Sequence, residues 1–388
     1  GGGLSPPPLF YRAMHIFVDG DVTASVVRMR LANALLAVAA AALVLMLAPR
    51  ARRGAFALSW LVAIVPMGLF MIAATNPQSW GLIGAATAWC LALIWREQPT
   101  TARRTIAAVG CVAMLGFAFS ARIDAGTFAV IGVALGLALS RSFWIWARTH
   151  GRTVAAALIA LGAAVALLST RSTQGSLLQT AASSANIADY DRLYRNLADL
   201  PQFWIGNLGS YGAQWGLGQL DTVMPAAVGV LGLIAFGGTV LIGLGRSWPM
   251  KSLAVLLVAA TMIALPVILF QAALIDGAID VGLGIQPRYF LPLMLLLAGL
   301  ALVSRRRYAS IRLSNAQACF LWVCLTASQA FALHALLRRY ISGQDVLVFN
   351  LDSMREWWWS GLPDPQTTWL VASAAFAFVA FVTLRNLR

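Results

Sequence analysis

The chain has 388 residues, of which 60% are hydrophobic and only 11% are charged, whereas a soluble domain carries about 25% charged residues. The apolar residues form blocks of about 16 to 24 residues, which is long enough to cross a hydrocarbon layer about 30 Å thick. This composition excludes a soluble globular protein. It predicts an integral membrane protein whose main partner is the lipid bilayer.

Eleven apolar blocks are candidate membrane spans. In chain order their approximate bounds are 31–48, 54–74, 79–95, 105–121, 125–140, 153–169, 223–245, 252–275, 289–303, 316–336 and 368–384. In lipid the backbone must satisfy its own hydrogen bonds, so each span is predicted to be a helix. The fold is therefore predicted to be all-α, with residues 1–388 forming a single membrane domain. Pro66, Pro266 and Pro292 lie in or near spans, where they can kink or start a helix.

The net charge of +14 could suggest a nucleic-acid partner, but the placement of the charges argues against one. One set of segments carries 17 of the 28 basic residues and a single acid, Glu97. This set comprises 49–53, 96–104, 141–152, 246–251, 304–315 and 385–388. Basic loops stay in the cytoplasm, so the set is predicted to be inside. The remaining segments hold 11 basic and 13 acidic residues and are predicted to be outside.

An odd number of spans places the N-terminus of this chain outside and its C-terminus in the cytoplasm, as in a multi-pass plasma-membrane protein. The chain starts GGGLSPPP, without the basic and apolar regions of a signal peptide. An external N-terminus without a signal is unusual. We therefore expect one further span before Gly1, with the chain beginning inside an external loop.

The external side holds the longest polar segments, namely 1–30, 170–222, 276–288 and 337–367. Loops on a rigid scaffold often carry function. The loop 170–222 is predicted to contain an amphipathic helix near 186–200 that lies on the outer membrane surface. Asn186 would cap it and Pro201 would follow its end. Its apolar residues at helical spacing are Ile187, Tyr190, Leu193, Tyr194, Leu197 and Leu200.

The cysteines and histidines give no metal or disulfide pattern. The four cysteines all fall inside apolar blocks without a Cys-x-x-Cys pair, and the three histidines are scattered. No cofactor is predicted, although a lone acidic pair could still bind a divalent cation.

The stretch GIQPRYFLPL, residues 284–293, places polar residues at the external entry of a span. Pro287 and Pro292 bracket the helix start and aim Arg288 at the membrane–water boundary. A charged group at this depth is costly without a partner. The arginine fork matches a phosphate group and stays charged. A lipid-linked phosphate would supply such a partner; an arginine reaching to ordinary lipid headgroups explains the pattern equally well.

Other external residues have similar pairs of interpretations. Asp221 precedes a span and is either a functional acid or a helix N-cap. Arg338 and Arg339 lie outside against the charge trend, so they bind an anionic partner or pair with lipid phosphates. The three tryptophans at 357–359 are typical of a membrane-interface belt.

Four motifs together resemble a family of bacterial predicted membrane proteins, domain of unknown function family 2142. They are the Gln-x-Arg-Tyr-Phe-x-Pro string at 286–292, LGQLDTVMP at 217–225, TNPQSW at 75–80 and SPPPLFY at 5–11. They occur in the family's order. The family is grouped with the GT-C superfamily of polytopic glycosyltransferases, which use lipid-phosphate sugars.

The resemblance implies an inverting transfer of a sugar from a polyprenyl-phosphate donor to a cell-envelope glycan or other acceptor on the outer face. Arg288 is expected to bind the phosphate, Tyr289 and Gln286 to orient it, and Asn76 to bind a sugar hydroxyl. Arg338 and Arg339 are further candidates for substrate binding. In such enzymes the catalytic carboxylate usually lies in the first external loop, so it is expected upstream of Gly1. The candidate acids within this chain are Asp221, Asp19, Asp21 and Asp124.

Two alternatives remain at this stage. A transporter or flippase for lipid-linked substrates would have charged residues in mid-span and two related halves, and the spans are almost free of ionisable groups. A non-catalytic membrane scaffold would tolerate loss of Arg288.

Overall fold

In a computed structural model, residues 8–153, 189–206, 208, 217, 222–245, 248–271, 286–304 and 311–388 are described. All regular elements in these ranges are helices, apart from one isolated bridge between Leu217 and Thr222. The prediction of an all-α polytopic membrane protein is confirmed.

Fourteen α-helices and one 3-10 turn make up the described part of the chain. In order they are α1 (Pro8–His15), α2 (Val22–Leu47), α3 (Arg50–Ala63), α4 (Met67–Ile72), α5 (Gln78–Trp95), α6 (Thr101–Ala121), α7 (Ile123–Leu139), α8 (Arg141–Thr149), α9 (Tyr190–Gly206), α10 (Ala226–Leu244), α11 (Pro249–Gln271), η1 (Pro287–Phe290), α12 (Leu291–Leu302), α13 (Asn315–Ile341) and α14 (Pro365–Arg385).

Seven of these helices are long and apolar enough to cross a membrane, and an eighth span results if α7 and α8, bent by 86°, are counted together. The predicted span 54–74 is two helices, α3 and α4, with the break at residues 64–66. Pro66 lacks the N–H that a continuous helix needs. Pro266 lies inside α11, and Pro292 lies in the first turn of α12. The predicted span 153–169 falls almost wholly outside the described residues.

The first predicted span begins earlier than its hydropathy indicates. Helix α2 starts at Val22, nine residues before the predicted start at 31, so residues 22–30 belong to a helix and not to a loop. Asp21 fixes this start, because its side chain accepts hydrogen bonds from the backbone N–H groups of Thr23 and Ala24. The polar residues Arg28 and Arg30 concealed the first two turns from a hydropathy reading.

The amphipathic helix of the loop 170–222 is present as α9, but its bounds and its buried face differ from the prediction. It runs through Pro201 to Gly206, and Tyr190 and Tyr194 are about three-quarters exposed. The side chains that pack inward are Arg192, Asn196, Leu200 and Phe203. Asn196 donates to Gln271 at 2.7 Å. Buried amides need such partners, and this pair therefore explains why an asparagine lies on the inner face beside Leu200 and Phe203.

Helices α5 and α12 form the centre of the bundle. Every residue of α5 except Trp95 is buried, and all of α12 is buried. They meet at Trp89, which is fully enclosed. Gly132 and Gly136 of α7 and Gly299 of α12 lie directly against Trp89. In lipid, small residues allow helices to approach closely and gain contact area.

The two ends of the helix bundle differ in the segments that meet there. Arg52, at the start of α3, forms a buried ion pair of 2.9 Å with Glu97 after α5, and it also donates to the carbonyl of Ser304 after α12. The backbone N–H of Leu313 binds the carbonyl of Leu387. Segments predicted to share the cytoplasmic side thus meet at one end, the arginine-rich end. The opposite end, where α5 begins and η1 lies, is called the loop-rich end.

The close approach of α7 to α5 at Gly136 predicts that a larger residue there destabilises the protein. A Cβ atom at Gly136 would lie 2.7 Å from the carbonyl oxygen of Trp89, a backbone atom that cannot move aside easily. Gly136→Ala should lower the free energy of unfolding by about 1–3 kcal/mol, the usual cost of overpacking. Gly116 of α6 has nothing within 4 Å of its Cβ position. Gly116→Ala is the matched control and should be neutral or stabilising. Thermal unfolding in detergent measures both, and equal midpoints would contradict this packing.

Candidate functional site

A polar cluster occupies the loop-rich end, where the central helices α5 and α12 meet α6 and α7. We call it the Arg288 cluster. Its members are Asn76, Gln78, Arg122, Asp124, Gln286, Arg288 and Tyr289. Three sequence positions far apart contribute to it, namely the start of α5, the α6–α7 junction and η1. Four of the predicted substrate-binding residues therefore lie together with one of the predicted acids.

Arg288 is half-buried on η1, and its surroundings leave its charge without a counter-charge among the described carboxylates. One terminal nitrogen lies 3.9 Å from the sulfur of Met71, a weak acceptor, and the guanidinium carbon lies 5.7 Å from the centre of the Tyr289 ring. Within the described residues, Nε has no hydrogen-bond partner although it is buried. A half-buried cation at this depth favours an anionic ligand.

Tyr289 connects Arg288 to an ion pair. The guanidinium of Arg122 stacks on the Tyr289 ring at 3.8 Å. The same guanidinium makes a two-point contact with Asp124, the shortest N–O distance being 2.8 Å. Asp124 also accepts the N–H of Ala125 in the first turn of α7. The result is a rigid stack of Asp124, Arg122 and Tyr289 beside Arg288.

Two glutamines and an asparagine complete the cluster. The side-chain amide of Gln78 donates to the backbone carbonyl of Arg288 at 3.4 Å, so α5 holds η1 directly. The side chain of Asn76 accepts the backbone N–H of Gln78 at 2.9 Å and thereby fixes the start of α5. The side-chain oxygens of Gln78 and Gln286 are buried and have no described hydrogen-bond partner. The cluster therefore contains both an unpartnered donor, Nε of Arg288, and unpartnered acceptors.

A cluster of aromatic side chains packs η1 against α7 and α9. The ring of Phe290 contacts Phe203 at 5.4 Å and Trp204 at 5.7 Å, both on α9, and Phe128 of α7 at 6.2 Å. Phe270 of α11 also packs on Phe203. The contacts that involve Phe203 and Trp204 are edge-to-face, an arrangement that fixes ring orientation. The amphipathic helix therefore supports the turn that bears Arg288.

The other predicted acids have different surroundings. Asp19 pairs with Arg28 at 2.9 Å, and both side chains are exposed. The hydrogen bond from Arg28, together with that from the Gly20 N–H, lowers the pKa of the Asp19 carboxyl, and a lower pKa makes a weaker base. Asp21 is the cap of α2. Asp221 lies outside the described residues.

Arg338 and Arg339 are not brought to the cluster. They lie in the last turn of α13, which packs against α10 and α14, whereas the Arg288 cluster is built on α5, α6, α7 and η1. The two arginines therefore belong to a different part of the loop-rich end.

Sequence reasoning missed Arg122 and Gln78. Arg122 sits between two spans beside Asp124, and a basic–acidic pair at a span junction is the signal that could have identified it. Gln78 gave no signal, because a glutamine that begins a helix is common and its contact with Arg288 spans 210 residues of sequence. No group of three His, Cys, Asp or Glu residues able to hold a metal occurs in the described part of the chain.

The sequence model of a family of predicted membrane proteins, domain of unknown function 2142, matches residues 3–297. The match spans every member of the Arg288 cluster and ends before α13, which bears Arg338 and Arg339. No curated protein and no solved structure matches the chain.

The two ion pairs at this end give a contrasting prediction. Asp124→Asn should lower the free energy of unfolding by about 1–2 kcal/mol, since it removes a charge-assisted hydrogen bond in a largely buried setting. Asp19→Asn, the control, should change stability little, because its ion pair is exposed. Chemical or thermal unfolding in detergent measures both. If Asp124→Asn instead stabilises the protein, Asp124 is not a structural partner and catalytic strain at this residue is favoured.

Proposed function

The chain belongs to the DUF2142 family of predicted membrane proteins, and we propose that it is an inverting membrane glycosyltransferase. It takes a sugar from a polyprenyl-phosphate donor and transfers it to a hydroxyl of a cell-envelope glycan. The reaction takes place at the loop-rich end, on the outer face of a bacterial plasma membrane. The observation that carries the proposal is the half-buried Arg288, held on a rigid turn with no described carboxylate to neutralise it.

Binding of the donor phosphate follows from the charge of the cluster. Arg288 and Arg122 bring two positive charges and Asp124 one negative charge, which leaves a net positive site at the membrane boundary. A phosphodiester carries one negative charge, and an arginine fork can bind two of its oxygens. The polyprenyl chain then lies in lipid beside the helices. Gln286 and Tyr289 flank the phosphate and orient it.

The reaction is a displacement at the anomeric carbon. The acceptor oxygen attacks that carbon, the bond between carbon and phosphate oxygen breaks, and the acceptor proton passes to a carboxylate acting as general base. Polyprenyl phosphate leaves with an additional negative charge. Arg288 stabilises this charge, because it is already placed where the charge develops.

The structural roles of three acids guide the choice of base. Asp19 pairs with Arg28, Asp21 caps α2, and Asp124 pairs with Arg122. Among the candidate acids within this chain we assign the base to Asp221, which follows Leu217 in the sequence and precedes α10. A base upstream of Gly1 is the alternative that an Asp221→Asn variant tests. Asp124 positions Arg122 and Tyr289. Asn76 holds the start of α5 and faces the sugar.

Donor binding gives the first test. Undecaprenyl phosphate is titrated onto the purified protein in detergent, and bound lipid is counted by native mass spectrometry. Arg288→Ala should weaken binding about tenfold to hundredfold, the effect of removing charge-assisted hydrogen bonds. Arg288→Lys should recover part of the loss, because it retains the charge but not the planar fork.

The controls separate phosphate recognition from general lipid binding. Arg355→Ala removes an exposed arginine at the same end, outside the cluster, and should bind undecaprenyl phosphate like the wild type. Undecaprenol, which lacks the phosphate, should bind wild type and Arg288→Ala equally weakly. Equal affinity of wild type and Arg288→Ala for undecaprenyl phosphate would overturn the assignment of Arg288.

Turnover separates an enzyme from a transporter. Membranes that contain the protein are given a panel of radiolabelled polyprenyl-phosphate pentoses and hexoses. A glycosyltransferase releases polyprenyl phosphate and moves label into envelope glycan, and Asp221→Asn should abolish release while leaving donor binding intact. Movement of intact donor between leaflets without release would instead establish transport.

A further inference from the structure

A second polar feature lies at the opposite, arginine-rich end of the bundle. It is a cavity of about 340 Å³ between the ends of α10 and α12 and the starts of α11 and α13. Its polar lining includes Lys251, Arg312 and Gln317, and its apolar wall includes Leu241, Leu302 and Ile311. It is far along the helices from the Arg288 cluster and has no part in the proposed reaction.

Lys251 distinguishes this cavity from an ordinary gap between helices. It is the only lysine in a chain whose other 27 strongly basic residues are arginines, and it is 1% exposed. Its ammonium group donates to the carbonyl of Gly243 at 2.7 Å, which places the charge at the end of α10. The ammonium charge of Lys251 therefore lies at the wall of the cavity, where it attracts an anion.

The charges of the lining favour an anion. Lys251 and Arg312 are cationic, and none of the described residues that line the cavity has a carboxylate side chain. Lys251 and Gln317 also belong to the first turns of α11 and α13, where backbone N–H groups favour negative charge. The carbonyl groups at the ends of α10 and α12 carry partial negative charge and disfavour an anion. Lys251 offsets this charge at the end of α10, because it donates a hydrogen bond to the carbonyl of Gly243.

The apolar wall indicates a lipid and not a soluble anion. Leu241 lines the cavity and is also 70% exposed on the outer surface of α10, which gives acyl chains a path from the cavity along the bundle. Basic pockets between spans bind the headgroups of anionic lipids at the cytoplasmic boundary. We propose that this cavity is a binding site for an anionic phospholipid, with Lys251 and Arg312 on the headgroup phosphate and the glycerol against the apolar wall.

The test uses native mass spectrometry of the delipidated, full-length protein in detergent. Phosphatidylglycerol is compared with phosphatidylcholine of the same acyl chains and with glycerol phosphate. We expect one phosphatidylglycerol to bind in preference to the other two. Arg312→Gln should weaken that binding about fivefold, the effect expected for one cation near a lipid phosphate. Arg312 is exposed, so this variant should fold.

Two further variants test whether the lipid binds inside the cavity. Gly245 lines the cavity in a helical conformation, and the nearest atom to its Cβ position is 3.6 Å away. Gly245→Leu fills the cavity without a change of charge, and it should reduce phosphatidylglycerol binding at least as much as Arg312→Gln. Arg385→Gln is the control, because it removes an exposed charge at the same end outside the cavity lining. It should bind like the wild type.

Several outcomes would overturn the proposal. If phosphatidylglycerol and phosphatidylcholine bind with equal affinity, the headgroup charge is not recognised. If Gly245→Leu binds phosphatidylglycerol as tightly as the wild type does, the lipid binds outside the cavity. If Arg385→Gln weakens phosphatidylglycerol binding as much as Arg312→Gln does, the basic surface attracts the lipid in general and the cavity is not a specific site. If glycerol phosphate binds as tightly as phosphatidylglycerol, the ligand is a soluble phosphate. None of these results affects the Arg288 assignment, because that site is tested with undecaprenyl phosphate at the other end.

Discussion

The enclosure of Trp89 by glycines is the contact on which the rest of the structure depends. In lipid there is no hydrophobic force between helices, so close backbone approach and dense packing hold them together. Gly132 and Gly136 bring α7 against the Cβ and the backbone carbonyl of Trp89, and Gly299 brings α12 against its indole. Phe56 of α3 meets the indole edge-on at 5.3 Å. Three helices are thereby fixed around α5, and both ends of the bundle inherit their geometry from this centre.

The two ends use that rigid centre for different purposes. At the arginine-rich end the buried pair of Arg52 and Glu97 ties α3 to α5, and Arg52 also reaches Ser304 after α12. There the buried charge of Arg52 is satisfied within the protein. At the loop-rich end Gln78 connects the start of α5 to Arg288, but Arg288 has no described carboxylate partner. A fixed scaffold with an unbalanced cation is the arrangement expected of a binding site for an anion.

Hydropathy predicted ten of the described helical regions because the bilayer imposes one length and one composition on a span. It failed where polarity and structure disagree, as at residues 22–30, where Arg28 and Arg30 lie on a helix. It could not distinguish the buried α5 from the lipid-exposed α14, since both are apolar on all sides. The sequence predicted Arg288 and Tyr289 as one group, and proline spacing was the reason. The contacts of Tyr289 with Arg122 and of Gln78 with Arg288 depend on tertiary packing and had no local pattern.

The central claim is that Arg288 receives the phosphate of a polyprenyl lipid. The most direct measurement is an electron cryo-microscopy structure of the protein in a nanodisc with undecaprenyl phosphate. Our account predicts phosphate density within about 3 Å of the Arg288 guanidinium nitrogens, beside the Tyr289 ring and the Gln286 amide. Lipid density whose phosphate lies elsewhere, with Arg288 still among the same protein neighbours, would contradict it.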